Sequence, residues 1–245
     1  MVVWVILPAF NEAENLPGLL SELDALATDT LPGVRVVLVD DGSTDATGEI
    51  ARSWAGPCRP EVIAHGANRG LAAAVLTGLR AAVNRCGTDD VIVTMDADGS
   101  HRPAQIPAMV REIADGADVI IASRYRPGAR TAGVSAIRSL YSLGARALLS
   151  VLFPIPGVRD YTCGFRAYRA ALLGRARQRY GDRWIESQGF SVMTEILLKL
   201  RPLRPVVREV PIDLRYDLKR GRSKLVAGRT IRQYLGMIVR LRLRT

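Results

Sequence analysis

The chain has few cysteines and histidines, and it has no apolar run long enough to span a bilayer. Three cysteines, Cys58, Cys86 and Cys163, and two histidines among 245 residues form no CxxC pair and no set of zinc ligands. We therefore interpret the cysteines as free thiols of a reducing compartment. The longest nearly uncharged stretch, residues 147–158, is shorter than the roughly 20 residues of a spanning helix. The sequence predicts no transmembrane anchor, and the start MVVWVILPAF lacks the basic region of a signal peptide.

Motifs of several common protein classes are also missing. No GxGxxG turn follows the first apolar segment and no Walker lysine is present, so dinucleotide redox chemistry and P-loop chemistry lose support. The sequence has no helix-turn-helix, RNP or zinc pattern, and aromatic residues make up only 6% of it. Because single-stranded nucleic acid is bound by stacking bases on aromatic rings, the composition disfavours nucleic acid as a partner.

Acidic residues are scarce in the second half of the chain. Residues 1–122 carry 8 basic and 17 acidic side chains, whereas residues 123–245 carry 26 and 7, giving net charges of −9 and +19. The basic half indicates an anionic partner, either nucleic acid, an anionic membrane surface or a phosphorylated substrate. Since 31 of the 34 basic residues are arginine, an arginine-rich solvated face produced by genomic bias is the alternative.

The first half alternates apolar, β-branched segments with helical ones. Strands are predicted at 2–7, 34–39, 61–64, 91–95 and 118–122, and helices near 12–28, 44–55, 70–85 and 103–114. This alternation predicts an α/β fold with a mostly parallel sheet, whose ligands bind beyond the carboxyl ends of the strands. The second half is less regular, with helices predicted near 134–152, 167–180, 188–201 and 226–240 and a strand at 206–212. We expect residues 1–122 and the mainly helical, basic residues 123–245 to be two halves of one domain.

Polar residues follow each of the first four predicted strands, at the edge where a ligand is expected. Asp96 and Asp98 come directly after the fourth strand, and carboxylates at this spacing suit Mg²⁺ or Mn²⁺. Aspartate is also common in turns, so the pair alone is a weak signal. Asp40 and Asp41 at the end of the second strand strengthen the metal interpretation.

The pair at 40–41 also has a purely structural interpretation. A helix is predicted to begin near Thr44, and the carboxylates would then belong to its capping region, with Ser43 or Asp45 as the cap.

Six segments, in order along the chain, resemble those of family 2 glycosyltransferases: PAFNEAEN (8–15), VDDGSTDAT (39–47), DADGSH (96–101), SRY (123–125), RDYTCGFRAY (159–168) and GRSKL (221–225). They resemble more closely the dolichyl-phosphate mannose synthase branch, which transfers a sugar from a nucleotide donor to a polyprenyl phosphate. The resemblance covers nearly the whole chain. It implies a GT-A type, Rossmann-like fold, a nucleotide-sugar donor with GDP-mannose favoured, and a divalent metal cofactor, Mg²⁺ or Mn²⁺.

The resemblance also implies roles for individual residues. The residues that match donor-binding positions of the family are Pro8, Phe10, Glu12, Val39, Asp41, Asp96, Ala97, Asp98 and Arg222. The metal would be held by Asp96 and Asp98. Asp98 and Arg124 would be the catalytic residues. The residues that match acceptor phosphate positions are Arg124, Arg138, Ser142 and Lys224. We do not expect His65 or His101 to be ligands.

The sequence lacks the paired Glu-Asp that serves as general base for a hydroxyl acceptor, and this favours a phosphate acceptor. Many family members remove the proton of a hydroxyl acceptor with a paired Glu-Asp, and this chain contains no Glu-Asp dipeptide. A phosphate monoester is largely dianionic at neutral pH and needs no base. We therefore expect a single in-line displacement with inversion at the anomeric carbon. A hydroxyl acceptor, on a glycan or small metabolite, is the alternative, and Glu195 is then the nearest candidate base.

Contact with a membrane is expected to be peripheral and on the cytoplasmic face. Within residues 229–245, Ile231, Tyr234, Leu235 and Ile238 lie along one helical stripe, with Val239 at its margin and arginines outside it. Such a helix can lie on an anionic bilayer or pack on its own protein. The apolar run at 147–156 is a second candidate for contact with the lipid tail or with a separate membrane subunit.

Overall fold

The computed structural model describes residues 1–218, 220 and 227–243. The strands are β1 (Val3–Ala9), β2 (Val34–Asp40), β3 (Glu61–Ala64), β4 (Val91–Thr94), β5 (Val119–Ser123), β6 (Arg130–Ala132), β7 (Arg166–Arg169), β8 (Val207–Pro211) and β9 (Asp213–Arg215). The α-helices are α1 (Leu16–Asp29), α2 (Thr47–Ser53), α3 (Leu71–Val83), α4 (Ile106–Ala114), α5 (Ala136–Leu152), α6 (Ala170–Tyr180), α7 (Val192–Leu200) and α8 (Ala227–Arg242).

A seven-stranded sheet forms the centre of the molecule, with the strand order β3-β2-β1-β4-β7-β5-β8. Its parallel pairs are β1 with β2 and β4, β2 with β3, and β5 with β8. Every residue of β4 and β5 is buried, and β1 and β2 are buried almost throughout. Strands covered on both faces read as continuous apolar segments, so the sequence predicted these four strands correctly.

β7 is the strand of the central sheet that the sequence analysis missed. It runs antiparallel between β4 and β5, with Thr94 opposite Arg166 and Ile121 also opposite Arg166. The helix predicted near 167–180 therefore begins only at Ala170. Residues 166–169 pair with a strand on each side instead, which gives their backbone N–H and C=O groups partners.

Two smaller differences also lie near the loops. β6 and β9 form a separate parallel pair that was not predicted. The helix predicted near Thr44 begins at Thr47. Thr44 donates its N–H to Asn11 Oδ1 at 2.8 Å, while Asp45 Oδ1 accepts the Thr47 N–H at 3.0 Å. The predicted cap at Ser43 or Asp45 is therefore wrong: α2 begins three residues later than expected, its N-cap is Ala46, and Ala46 provides no side-chain cap.

The helices pack on the faces of the sheet and leave the carboxyl ends of its parallel strands open. α3 packs on β1 and β2, and it also contacts α6 and α7. α4 contacts β5 and β7, and α1 contacts α2. β1, β2 and β4 end together at the carboxyl edge, where Ala9 is level with Asp40 and Ile6 with Thr94. Among the described residues, no helix combines the length and the apolar character needed to cross a bilayer.

Candidate active site

A cleft of about 960 Å³ opens at the carboxyl edge of the sheet. The residues of the first half that line it are Pro8, Ala9, Phe10, Glu12, Asp41, Asn68, Arg69, Gly70, Leu71, Ala74, Asp96, Ala97 and Asp98. Those of the second half, which we call the C-terminal wall, are Gln188, Gly189, Phe190, Tyr216, Thr230, Arg232 and Gln233. The cleft therefore lies where ligands bind in open α/β sheets.

The loop after β1 is shaped by contacts with the loop after β2. Asn11 adopts a left-handed backbone conformation with φ of 51°, and it donates its N–H to Ser43 Oγ at 3.0 Å. Its side-chain oxygen accepts the Thr44 N–H. Asparagine tolerates this conformation better than most residues. The turn carries the chain from Phe10 to Glu12, which is nearly buried and accepts a hydrogen bond from Asn15.

Asp41 is held by the segment that leads into α3. Its two carboxylate oxygens accept the backbone N–H groups of Arg69 and Gly70 at 3.0 and 2.8 Å. His65 Nδ1 lies 2.6 Å from Asp41 Oδ1, and the other ring nitrogen of His65 lies 3.0 Å from Thr77 Oγ1. Asp41 and His65 are both buried. These bonds determine where Arg69 and Gly70 meet the cleft, and His65 has a supporting role, as expected.

The loop after β4 brings Asp96 and Asp98 to the cleft. Asp98 Oδ1 accepts both the N–H and the hydroxyl of Ser100, at 3.1 and 2.6 Å. The Asp96 N–H donates to His101 Nδ1 at 3.0 Å, and the His101 ring stacks on Phe165. His101 therefore stabilises the loop by accepting the backbone N–H of Asp96 at Nδ1.

The donor atoms at this loop fit a hard divalent cation. Asp96 and Asp98 supply carboxylate oxygens on one side of the cleft. Within the part of the chain that the structure describes, no three His, Cys, Asp or Glu side chains come together as a metal site. Mg²⁺ and Mn²⁺ commonly bind to one or two carboxylates and complete their coordination with water and substrate phosphates. Two carboxylates in an open cleft satisfy that requirement.

A second cluster of polar side chains surrounds Arg124, which lies beside the fully buried carboxylate of Asp160. Its Nε and Nη2 donate to the two oxygens of Asp160 at 2.8 and 2.7 Å, while Nη1 donates to Ser142 Oγ at 3.1 Å and Nη2 also to Thr162 Oγ1. Burial opposes the charge on both partners, but their pairing outweighs it. The pKa of Asp160 is lowered from its ordinary value and that of Arg124 is raised.

The loop from Asp160 to Gly164 joins this group to the cleft. Asp160 Oδ1 accepts the N–H groups of Thr162 and Cys163 at 3.2 and 3.1 Å. Thr94 donates to the Gly164 carbonyl at 2.8 Å, and a Cβ placed on Gly164 would lie 3.7 Å from Asp96 Oδ1. Arg124 and Ser142 are not cleft-lining residues, but one short loop connects them to the carboxylates that are.

The structure thus brings together most of the residues predicted to bind the donor. Seven of them line the cleft, namely Pro8, Phe10, Glu12, Asp41, Asp96, Ala97 and Asp98. Val39 is the exception, since it is fully buried and packs towards Gly78 of α3. Its position in β2 turns the side chain into the core, so the place of Val39 in the donor site stays a prediction.

The remaining predicted residues divide into two groups. Arg124 and Ser142 are in direct contact, as their predicted common role requires. Arg138 lies in α5, but its side chain is not described, and Arg222 and Lys224 lie outside the described residues. Arg220, which precedes the segment GRSKL, exchanges backbone hydrogen bonds with the side chain of Asn15.

Glu195, the candidate base for a hydroxyl acceptor, is fully buried and does not line the cleft. Its Oε2 accepts the N–H groups of Glu186 and Ser187 at 3.0 and 2.7 Å. Its Oε1 lies 3.2 Å from both Lys199 Nζ and Arg240 Nη2. A carboxylate with four such partners is poorly suited to abstract a proton from a substrate.

The sequence analysis missed the C-terminal wall entirely. Gln188, Gly189 and Phe190 fall in a segment predicted as helix, which in fact precedes α7. Thr230, Arg232 and Gln233 lie on α8, whose pattern was interpreted only as a lipid-facing or core-facing stripe. Asn68 and Arg69 were also missed, although their place after β3 at the carboxyl edge was a usable signal.

The family of the chain follows from comparison with known sequences. The family model described as "Glycosyl transferase family 2" matches residues 4–175. The chain belongs to this family. Three of the motifs quoted from the sequence, PAFNEAEN, VDDGSTDAT and DADGSH, contribute residues to the lining of its cleft.

Several relatives resemble this family 2 glycosyltransferase over most of its length. A "dolichol-phosphate mannosyltransferase" of Pyrococcus furiosus is 35% identical over 244 residues, which make up 98% of this chain but only 64% of that protein. An "undecaprenyl-phosphate mannosyltransferase" of Micrococcus luteus is 33% identical over 93% of this chain and 89% of its own. A "polyprenol monophosphomannose synthase" of Mycolicibacterium smegmatis is 33% identical over 94% of this chain and 82% of its own.

A solved structure supports the fold. The chain is similar to glucosyl-3-phosphoglycerate synthase from Mycobacterium tuberculosis in complex with Mn²⁺ and UDP-glucose, with a TM-score of 0.71 and 22% identity. The match covers 98% of this chain and 78% of that one. The predicted GT-A type fold is therefore confirmed.

Proposed function

We propose that this chain is an inverting glycosyltransferase that moves a hexose, with mannose favoured, from a nucleotide sugar, with GDP-mannose favoured, to a polyprenyl phosphate. The observation that carries the proposal is that seven predicted donor residues, including Asp96 and Asp98, line the same cleft. The names of three relatives, all mannosyltransferases or mannose synthases of polyprenyl acceptors, support the choice of sugar and acceptor.

The two halves of the chain have different tasks in this proposal. Residues 1–122 bind the donor, with Pro8 and Phe10 beside the base and ribose. Residues 123–245 bind the acceptor phosphate through the guanidinium of Arg124 and the hydroxyl of Ser142, joined at 3.1 Å. Arginine carries a permanent charge and a planar set of donors, which suits a phosphate. The family resemblance adds Arg138 and Lys224 to the proposed acceptor site and Arg222 to the proposed donor site.

The chemistry is a single displacement. A phosphate oxygen of the acceptor forms a bond to the anomeric carbon as the bond from that carbon to the donor diphosphate breaks, so the configuration inverts. A divalent cation held by Asp96 and Asp98, Mg²⁺ or Mn²⁺, would supply charge neutralisation at the leaving diphosphate. Arg124 is the catalytic arginine, because it orients the attacking phosphate.

The acceptor needs no general base, and the state of Glu195 agrees with that. Its carboxylate is committed to two backbone N–H groups and two cationic side chains. This observation counts against a hydroxyl acceptor deprotonated by Glu195. A phosphate monoester is already dianionic near neutral pH.

A lipid acceptor requires peripheral contact with the cytoplasmic face of a membrane, and two helices are suited to it. α5 exposes Leu140 and Val151, which are 67% and 77% accessible. On α8 the predicted stripe is divided, since Ile238 is buried while Leu235 and Val239 are exposed. Exposed apolar side chains flanked by arginines are typical of interfacial helices. A separate membrane subunit would be a further partner for this surface.

The test is transfer of label from GDP-mannose to a polyprenyl phosphate in detergent micelles with Mg²⁺ or Mn²⁺. We expect a labelled product that extracts into organic solvent, and no product with the corresponding free polyprenol. Asp98→Ala should lower the rate by about 100-fold or more. Asp89→Ala is the matched control, because Asp89 is an exposed carboxylate before the amino end of β4. Failure of every nucleotide sugar to label the lipid phosphate would refute the acceptor assignment.

A further inference from the structure

Glu195 is a fully buried carboxylate in α7 that the proposed reaction does not use. A buried charge is stable only when it is paired and hydrogen-bonded. Glu195 meets this requirement through partners from three places: the backbone at 186–187, Lys199 one turn further along α7, and Arg240 of α8. Its side chain therefore connects three segments that are separate along the chain.

Two of those three segments carry six of the seven residues of the C-terminal wall, all but Tyr216. Gln188 and Phe190 follow directly after the two N–H groups that Glu195 accepts. Thr230 and Gln233 lie on α8, two to three turns before Arg240. The partners of Glu195 thus set the position of both parts of the wall relative to α7.

The two parts of the wall also contact each other closely. Gly189 has a φ of +86°, and a Cβ placed there would lie 2.7 Å from the side-chain oxygen of Gln233. Tyr234, next to Gln233, forms a hydrogen bond of 3.2 Å with Thr194 of α7. A shift of α8 away from α7 would therefore change the packing at Gly189 and open the cleft on this side.

We propose that Glu195 and Arg240 are positioning residues, which hold residues 188–190 and α8 together as the wall that closes the nucleotide-binding cleft. The proposal rests on the proposed function only in taking the cleft as the nucleotide site. Glu195 and Arg240 touch neither donor nor acceptor, so their loss should weaken nucleotide binding and leave the transfer step at saturating donor close to normal.

The principal variant is Arg240→Met, which keeps the length of the side chain and leaves Glu195 paired with Lys199. Arg242→Met is the matched control, because Arg242 lies on the same helix and bonds to the Leu152 carbonyl instead. Glu195→Gln removes the charge from the other side of the pair. The probes are GDP and UDP, titrated in the presence of Mn²⁺, and amide hydrogen exchange of the protein without nucleotide.

For Arg240→Met we expect the dissociation constant of the better-bound nucleotide to rise about 10-fold, with kcat changed less than about 3-fold. Amide exchange should become faster in peptides covering 186–191 and 227–243 and stay unchanged in β1, β2 and β4. Glu195→Gln should change the same peptides, and Arg242→Met should change neither binding nor the exchange at 186–191.

Unchanged exchange at 186–191 and in α8 would overturn the proposal, and so would an equal effect of the control. Faster exchange throughout the sheet would also overturn it, since the pair would then stabilise the fold as a whole. If neither nucleotide binds to the unchanged protein, the proposed function fails, while the exchange measurement still decides whether this pair holds the wall.

Discussion

Carboxylates in the two halves of the chain are held by different kinds of partner. In the first half, Asp41 accepts backbone N–H groups from residues 69 and 70, and Asp98 is bound by Ser100 two residues away. In the second half, Asp160 is paired with Arg124, 36 residues earlier, and Glu195 with Arg240, 45 residues later. All four carboxylates accept backbone N–H groups, and Asp41 is also bound by His65, but the two in the second half are paired with arginines as well.

This difference gives the charge asymmetry a structural meaning. Among the acidic side chains of the second half whose burial the structure describes, Asp160 and Glu195 are completely buried, and each is paired with an arginine. Some of the arginine excess therefore neutralises buried carboxylates of the same half. The difference also predicts that substitutions in the second half have the larger effects on stability, because they leave a buried charge without its partner.

Arg124→Met should have the largest effect. It leaves the Asp160 carboxylate fully buried without its guanidinium, which costs about 3 to 5 kcal/mol in comparable pairs. Urea denaturation of both proteins at pH 7 measures this difference. Arg126→Met is the control, because Arg126 is the exposed neighbour. A loss below about 1 kcal/mol would mean that the backbone N–H groups around Asp160 suffice, and the contrast between the halves would disappear.

The same pair predicts a pH dependence of stability. The pKa of Asp160 is lowered in the folded state by its pairing with Arg124, which outweighs the effect of burial. An unfolded aspartate titrates near 3.9, so the unfolded chain takes up this proton first as pH falls. The stabilisation by Asp160 is therefore complete above about pH 5 and is lost as pH falls towards the lowered pKa.

Asp160→Asn removes this contribution and isolates it from other carboxylates. Between about pH 5 and pH 3, the free energy of unfolding should fall less steeply for Asp160→Asn than for the unchanged protein. Denaturant unfolding at half-unit intervals of pH gives the two slopes. Equal slopes would show that the pKa of Asp160 is the same in the folded and unfolded chain.

His65→Ala probes the first half and should have a smaller effect. The substitution removes the bonds to Asp41 and Thr77 but leaves the two backbone N–H groups on Asp41, so we expect a loss of about 1 to 2 kcal/mol in stability. The dissociation constant for GDP should rise because Arg69 and Gly70 lose part of their support. Calorimetry with His65→Asn, which keeps one polar contact, tests whether affinity is partly restored. Full affinity in His65→Ala would show that the backbone contacts alone position this side of the cleft.

Val151→Asp should have the smallest effect on the fold, because Val151 is 77% exposed. We expect stability to change by less than about 0.5 kcal/mol, whereas binding to vesicles that contain anionic lipid should weaken. Sedimentation with such vesicles measures this, with Glu49→Asp at an exposed position of α2 as the control. Unchanged sedimentation would exclude this part of α5 from the membrane contact.

Much of the sheet and half of the cleft could be predicted from the sequence. The apolar segments of β1, β2, β4 and β5 are continuous because both faces are covered, and the polar residues after three of them meet at one edge. Asp41, Asp96 and Asp98 follow from this rule alone. The orientation of Val39 does not follow from this rule, because its side chain can point to either face of the sheet. Only its packing against Gly78 of α3 shows that the side chain enters the core.

The sequence by itself determined the α/β order, the edge that bears the site and the family, because each depends on residues that are close together along the chain. Only the tertiary structure decided that residues 166–169 form an antiparallel strand, that Glu195 is buried away from the cleft, and that α8 reaches the cleft. These features depend on contacts between residues tens of positions apart. Local periodicity carries no information about such contacts. The place of a glutamate in a helical pattern does not tell whether its side chain is buried against other segments or faces the cleft.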